Sequence, residues 1–198
     1  MNKIPKTFIF AGPSGCGKGT QVELLKEYLT KKTPEIAQFH SYTGDGFRAF
    51  IEGTTFASKR AREIQLAGGL QPEFLAVWIW AELLIKKFKG DEHLFIDGSP
   101  RKLGEAIVLD SALQFFKRED VKVIVLNVSD EETTRRLLAR GRQDDKPEAI
   151  KKRLEWYHDL VVPAVVYYKN RPGYKFIEID GEQTPEEVHK AIIRSVGL

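Results

Sequence analysis

The sequence is poor in several things at once, and each shortage removes a class of function. There is one cysteine, Cys16, so no internal disulfide framework can form and the chain fits a reducing compartment. The four histidines, His40, His93, His158 and His189, are scattered and give no metal-ligand spacing with Cys16, which argues against zinc. The longest apolar stretches, around residues 75–85 and 160–168, fall short of the roughly 20 residues a membrane-spanning helix needs. Residues 1–10 carry two lysines but no apolar stretch of signal-peptide type. Charge of one sign is also lacking: 31 basic against 28 acidic side chains leave a net +3, which calls for no nucleic-acid partner. The expectation is a cytoplasmic protein of no membrane, whose functionally important cations are gathered locally.

What is present is an alternation of strand-like and helix-like runs. Residues 7–11, Thr-Phe-Ile-Phe-Ala, read as a buried strand, followed by a glycine-rich turn and a helix with Val22, Leu24, Leu25, Tyr28 and Leu29 on one side. A weaker strand signal lies near 37–40. A helix opens at Gln71-Pro72, with proline at its first position, and stops near Gly90. Residues 94–96 and 121–128 read as strands, with a helix over 102–117 between them. Ser129 and Glu132 have capping-box spacing for the next helix, which ends at Gly141. Pro147 starts a long helix expected to bend at Pro163. Residues 175–179 form a last strand, and Thr184, Pro185 and Glu187 begin the closing helix. This order predicts an α/β fold, a parallel sheet with helices on both faces. Neither an internal repeat nor a linker divides the chain, so residues 1–198 are expected to form one domain.

The sharpest motif is Gly12-Pro13-Ser14-Gly15-Cys16-Gly17-Lys18-Gly19-Thr20, between a strand and a helix. Glycines let backbone amides wrap closely around phosphate oxygens, the helix N-terminus adds positive potential, and Lys18 adds a full charge. The pattern departs from the strict phosphate-loop form, because Gly19 takes the Ser/Thr position and Thr20 comes next. A glycine-rich turn without ligand is the plain alternative, and the lysine in its strand–helix context weighs against it. The motif by itself says nucleotide phosphate binding, without separating kinase from hydrolase.

Three further segments carry a resemblance. The Gly-Lys-Gly-Thr variant, the run Tyr42-Thr43-Gly44-Asp45-Gly46-Phe47-Arg48, the run Ile96-Asp97-Gly98-Ser99-Pro100-Arg101, and Arg136, Arg140, Arg142, Asp144, Asp145 and Arg153 in that order resemble the adenylate kinase family. The tail, Ile179-Asp180-Gly181 followed by Glu187-Val188, is similar too, so the resemblance covers nearly the whole chain. It implies a phosphate-loop three-layer fold with a five-stranded sheet in the order 2-3-1-4-5, a helical monophosphate-binding insert at about 44–73 and a minimal lid at about 140–146. It implies transfer of the γ-phosphate of Mg-ATP to a nucleoside monophosphate, by a monomer. ATP would be held by Gly12, Gly15, Cys16, Gly17, Lys18, Gly19, Thr20, Arg136, Arg140 and Gln183. The monophosphate would be held by Thr43, Arg48, Gly69, Leu70, Gln71, Gly98, Arg101, Glu105, Arg142 and Arg153. Lys18, Arg101, Arg140, Arg142 and Arg153 would act on the transferring group, and Asp97 would hold magnesium (Mg2+) through water. The physical chemistry agrees, because two anionic nucleotides meeting in phosphoryl transfer need convergent cations and an acceptor phosphate needs no general base. Taken alone, each residue also has a plainer reading: Arg136 as a solvated helix charge, Asp97 as a turn residue, Asp144-Asp145 as a cap for the helix at Pro147. Trp78 and Trp80 read as packing residues.

Three positions depart from the family pattern. Only Gly141 separates Arg140 from Arg142, which leaves no room for a zinc-binding lid. Ser99 replaces an aromatic. Glu105 stands where the family carries the glutamine that reads adenine. An ionised glutamate accepts hydrogen bonds but cannot donate to adenine N1, whereas guanine offers two donors. AMP is therefore the first expectation for the acceptor. GMP, or relaxed choice, is the alternative, with a nucleotide-binding regulatory module or a hydrolase further behind.

Overall fold

In the computed structural model, residues 4–198 are described. The first three residues of the segment read above for a signal peptide lie outside the described residues. Five strands, β1 (Thr7–Ala11), β2 (Gln38–Tyr42), β3 (His93–Asp97), β4 (Val121–Asn127) and β5 (Tyr174–Asp180), form one sheet in the order β2-β3-β1-β4-β5. Every pairing is parallel, with Phe8 opposite Phe95 and Lys122, and Phe10 opposite Asp97 and Ile124. The anticipated order is the observed one.

The two faces follow from the period-2 alternation of side chains along a strand. Ile9, Leu94, Ile96, Val121, Val123 and Val125 face helices α4 (Glu73–Lys87) and α5 (Leu103–Phe115) and the segment 157–168. Phe8, Phe10, Phe95, Ile124, Leu126, Ile177 and Ile179 face α1 (Lys18–Lys32) and α9 (Pro185–Val196). A sheet covered on both sides reads as nearly continuous hydrophobic runs, which is why β1 and β4 were legible. The edge strand β2 was harder to read because Gln38, Phe39 and His40 are only half-buried. Between β2 and α4 lie α2 (Thr43–Ile51) and α3 (Phe56–Leu66), which share a small core of Ile51, Ala61 and Leu75. Trp80 is buried, and Trp78 is half-exposed with its ring against Phe50. Among the described residues no helix is long and apolar enough to cross a membrane.

Three local expectations are corrected. Pro72 is the N-cap of α4, not its first residue. The Ser129 hydroxyl accepts from the Glu132 N–H, but the return half of the capping box is missing. The Glu132 carboxylate is taken by Arg135 and Arg136, and the Ser129 N–H donates to Glu182 instead. The full capping box is at Thr184 and Glu187, on α9. Finally, the helix from Pro147 does not simply bend at Pro163. Helix α7 (Pro147–Trp156) passes into a π-helical turn (Tyr157–Val161) before α8 (Val162–Val166). Proline has no N–H and its ring crowds the carbonyl four residues back, so widening the preceding turn relieves it.

The C-terminal part is pinned to α5 by one buried carboxylate. Asp110 accepts from the hydroxyls of Tyr174 (2.6 Å) and Tyr167 (3.2 Å), from Gln114 (3.2 Å) and from the Arg171 guanidinium. Asp110→Asn is expected to lower the unfolding free energy by about 2–3 kcal/mol, since an amide both loses the charge and turns donors against donors. Urea denaturation of the two proteins measures this.

Candidate active site

The carboxyl ends of β1, β2 and β3 open onto one cleft. After Ala11 the chain turns through the glycine loop, and α1 begins at Lys18. Gly12 and Gly15 have φ of +141° and +85°, and a Cβ at either would collide with its neighbours, at 2.7 Å from the Leu126 carbonyl and 2.8 Å from Leu137. The loop therefore requires glycine for both conformation and room. The Lys18 ammonium folds over it, donating to the carbonyls of Gly12 (2.8 Å) and Pro13 (2.9 Å).

A cavity of about 490 Å³ is lined by Gly15, Gly17, Lys18, Gly19 and Thr20 on one side and by Arg48, Gly69, Gln71, Asp97, Gly98 and Arg101 on the other. Arg140, Arg142 and Arg153 line it as well. Five arginines and a lysine thus converge from four regions of the chain. Arg48 lies over the Tyr42 ring (5.1 Å) and pairs with Asp45. Arg101 donates through Nε to the Gly98 carbonyl (2.9 Å) and lies over the Trp156 ring (5.5 Å). Arg140 and Arg153 are gathered by Asp145. Arg140 donates to it through Nε (2.9 Å) and Nη2 (2.8 Å), Arg153 through Nη2 (2.8 Å), and the Arg142 N–H at 3.1 Å. Asp144 adds contacts to Arg153 from its carbonyl (2.7 Å) and carboxylate (3.3 Å). Asp144 and Asp145 are therefore organisers of arginines, beyond the cap expected from their place before Pro147.

Asp97 closes β3 and is buried, with Oδ1 unpartnered among the described residues. Burial pushes its pKa up, while Lys18, His40 and Arg101 and the Gly98 N–H oppose that shift. Gln71 is also buried, and its Nε2 donates to the Ala61 carbonyl (2.8 Å). Because a carbonyl can only accept, that bond fixes the amide orientation and leaves Oε1 without a donor.

Some anticipated residues lie outside this lining. Gly12 and Cys16 belong to the loop without lining the cavity, and Cys16 is buried. Arg136 reaches the carbonyls of Gly181 (3.0 Å) and Cys16 (3.4 Å), and Gln183 is exposed beside Asp180, so both sit on the flank where the β5–α9 turn meets the loop. Thr43 is buried and hydrogen-bonded to Ser99 (2.8 Å), and Leu70 is half-buried. Glu105 is buried too. One carboxylate oxygen accepts the Arg101 N–H (3.1 Å), and burial, opposed by that hydrogen bond and the Arg101 charge, pushes its pKa up to about 7. Other lining residues belong to no motif and were missed: Gln65, Gly68 and Trp156. Phe47, which also lines the cavity, stood in a quoted segment without a role. Tyr42 stood in a quoted segment, without a role. The aromatic partners Tyr42 and Trp156 each sit under an arginine, a pairing that spacing along the chain does not reveal. Among the described residues no group of three or more His, Cys, Asp or Glu is placed to hold a metal ion.

Burial raises the Asp145 carboxyl, but the bonds from Arg140, Arg153 and the Arg142 N–H outweigh it and hold the pKa at about 2, below 3.8. A depressed carboxyl contributes stability that is complete above about pH 4 and lost as pH falls towards about 2. Asp145→Asn should remove that component, so the stability difference between wild type and variant shrinks over this window when both are unfolded with urea.

An adenylate kinase family model matches residues 10–172. The chain is 34% identical over 189 residues to adenylate kinase 1 of Nostoc sp., covering 96% of this chain and 97% of that one. It is 33% identical over 195 residues to the adenylate kinase of Leptospira biflexa, covering 96% and 100%. It is 34% identical over 199 residues to that of Thermus thermophilus, covering 98% and 99%. With similarity of this extent over the strands, loop and arginines just described, the chain belongs to the adenylate kinase family.

Proposed function

We infer that this protein is an ATP-dependent nucleoside-monophosphate kinase that catalyses ATP + AMP = 2 ADP. The observation that carries the reading is the convergence of Lys18, Arg48, Arg101, Arg140, Arg142 and Arg153 on one cleft beside the glycine loop. In the reaction, the bond between the γ-phosphorus and its bridging oxygen breaks, and an oxygen of the AMP phosphate forms the new bond. The electron pair of the broken bond stays with the leaving ADP. The acceptor is already anionic, so the side chains have no proton to remove, and their work is positioning and charge neutralisation.

The loop amides and Lys18 bind the ATP phosphates, with Arg136 and Gln183 on the adenine side. Arg48 and Arg101 hold the AMP phosphate, while Arg140, Arg142 and Arg153 approach the group in transfer. The buried, unpartnered Oδ1 of Asp97 fits a water of a magnesium ion, which would lessen the charge on the ATP phosphates. Residues 44–73 would act as the monophosphate-binding insert and 140–146 as a minimal lid. The family resemblance implies a monomer. The single thiol of Cys16, unpaired in the fold, is in keeping with the cytoplasm.

Acceptor choice follows from Gln71 more than from Glu105. Gln71 lines the cleft, and its buried Oε1, an acceptor without a donor, matches the amino group of adenine, where guanine carries a carbonyl. Glu105 serves the subsite from behind, through the Arg101 N–H. This weighs against the guanine alternative raised by its charge. Gln71→Leu should lower kcat/KM for AMP by about tenfold relative to GMP, the size of one base contact. Glu105→Gln should leave the AMP/GMP ratio nearly unchanged, and a large shift would put the carboxylate back against the base.

Lys18→Ala and Arg101→Ala should each reduce turnover by about two orders of magnitude or more while circular dichroism shows a folded chain. Arg153→Ala should lower kcat more than it raises KM, in keeping with an interaction made mainly in the transition state. Near-wild-type rates for Lys18→Ala would remove the basis for this mechanism.

A further inference from the structure

Trp156 stands where three parts of the cleft meet. It lies one helical turn after Arg153 on α7, so both side chains are on the face turned towards the cavity. Its ring lies under the Arg101 guanidinium at 5.5 Å. Its Nε1–H donates to the Gly68 carbonyl at 3.1 Å. Gly68 belongs to the short segment between α3 and α4, at the C-terminal root of the 44–73 insert. That root is pressed on α7. Gly68 has φ of +71°, and a Cβ there would sit 2.7 Å from the Ala149 Cα. One turn along, Lys152 donates to the Ala67 carbonyl at 3.3 Å.

Resting on the phosphotransfer reading above, we propose that Trp156 is a positioning residue that ties the root of the insert to Arg101 and so sets the spacing of the two arginines that grip the AMP phosphate. Arg48 travels with the insert, on α2, whereas Arg101 belongs to the turn after β3. The distance between them depends on where the insert is rooted, and the indole touches both the root and Arg101. A flat, rigid ring has few rotamers, so it can hold the guanidinium plane and the carbonyl at once. ATP binding, centred on the loop and Arg136, does not pass through this contact.

The test compares Trp156→Phe, which keeps a ring under Arg101 but loses the N–H, with Trp156→Leu, which loses both. Trp156→Phe should raise KM for AMP about fivefold, the size of one lost hydrogen bond, with KM for ATP and kcat little changed. Trp156→Leu should raise KM for AMP further and lower kcat, because Arg101 loses its support. AMP should also change the tryptophan emission of the wild type, and Trp156→Phe should abolish that change although Trp78 and Trp80 remain. An unchanged KM for AMP in Trp156→Phe, or KM rising equally for AMP and ATP, would overturn the proposal. Should Trp156→Leu fold poorly, Trp156→Phe carries the comparison, since it keeps most of the ring. A wild type that binds AMP but does not turn over would count against the phosphotransfer reading, and the AMP-dependent emission would still decide the role of Trp156.

Discussion

Like charges forced to face one another are the constraint around which this molecule is built. Five arginines and Lys18 share one cavity, and their repulsion must be met by the protein before any nucleotide arrives. Five of the six cations have a counterpart in the fold. Lys18 leans on the carbonyls of Gly12 and Pro13, Arg101 on the Gly98 carbonyl and Trp156, and Arg48 on Asp45 and Tyr42. Arg140 and Arg153 share Asp145, buried between them. The partners are carbonyls, ring faces and a few carboxylates, so much of the positive potential is left for a ligand.

The parallel sheet makes that convergence possible. All strands point the same way, so the segments leaving β1, β2 and β3 emerge on one edge, and the register Tyr42 to Asp97 to Phe10 lines up their ends. From those ends come the glycine loop, the segment with Arg48 and the turn with Arg101. The remaining arginines arrive by α6 (Asp130–Arg140) and α7, which run through to the connection at 141–146. Gly141 ends α6 in the left-handed region and Pro147 starts α7, so a short connection suffices to set Arg140 and Arg153 side by side.

Much of this was legible in the sequence because the signals were local. The buried runs of β1 and β4, the glycines of the loop and the capping residues of α9 depend on near neighbours, and the structure places them where the pattern put them. The motif arginines were legible through their segments. Choices among competing partners were not. Glu132 had the spacing for a capping box but two arginines within reach, and the arginines took it. Glu105 looked like a base reader from its position, yet one of its carboxylate oxygens accepts the Arg101 N–H, a contact set by how the turn after β3 leads into α5. Tyr42 and Trp156 matter for which arginine sits above them, which only the fold decides.

Under the proposed function, Asp145 would also explain how so small a lid could serve. An arginine carries five N–H donors in a plane, and Asp145 engages Nε and Nη2 of Arg140 and only Nη2 of Arg153. Arg140 therefore keeps Nη1 clear of Asp145, and in the proposed reaction Arg153 would trade its contacts with Asp144 for phosphate oxygens while Asp145 held it in place. An exchange of that kind replaces one anion by another around guanidinium groups that are already oriented, so little side-chain ordering remains to oppose binding. The same carboxylates would be at hand as products left. The aspartates that order these arginines would thus be the groups with which nucleotide phosphates compete in the proposed reaction, and a connection of six residues (141–146) would suffice because it carries the competitor and not a cover.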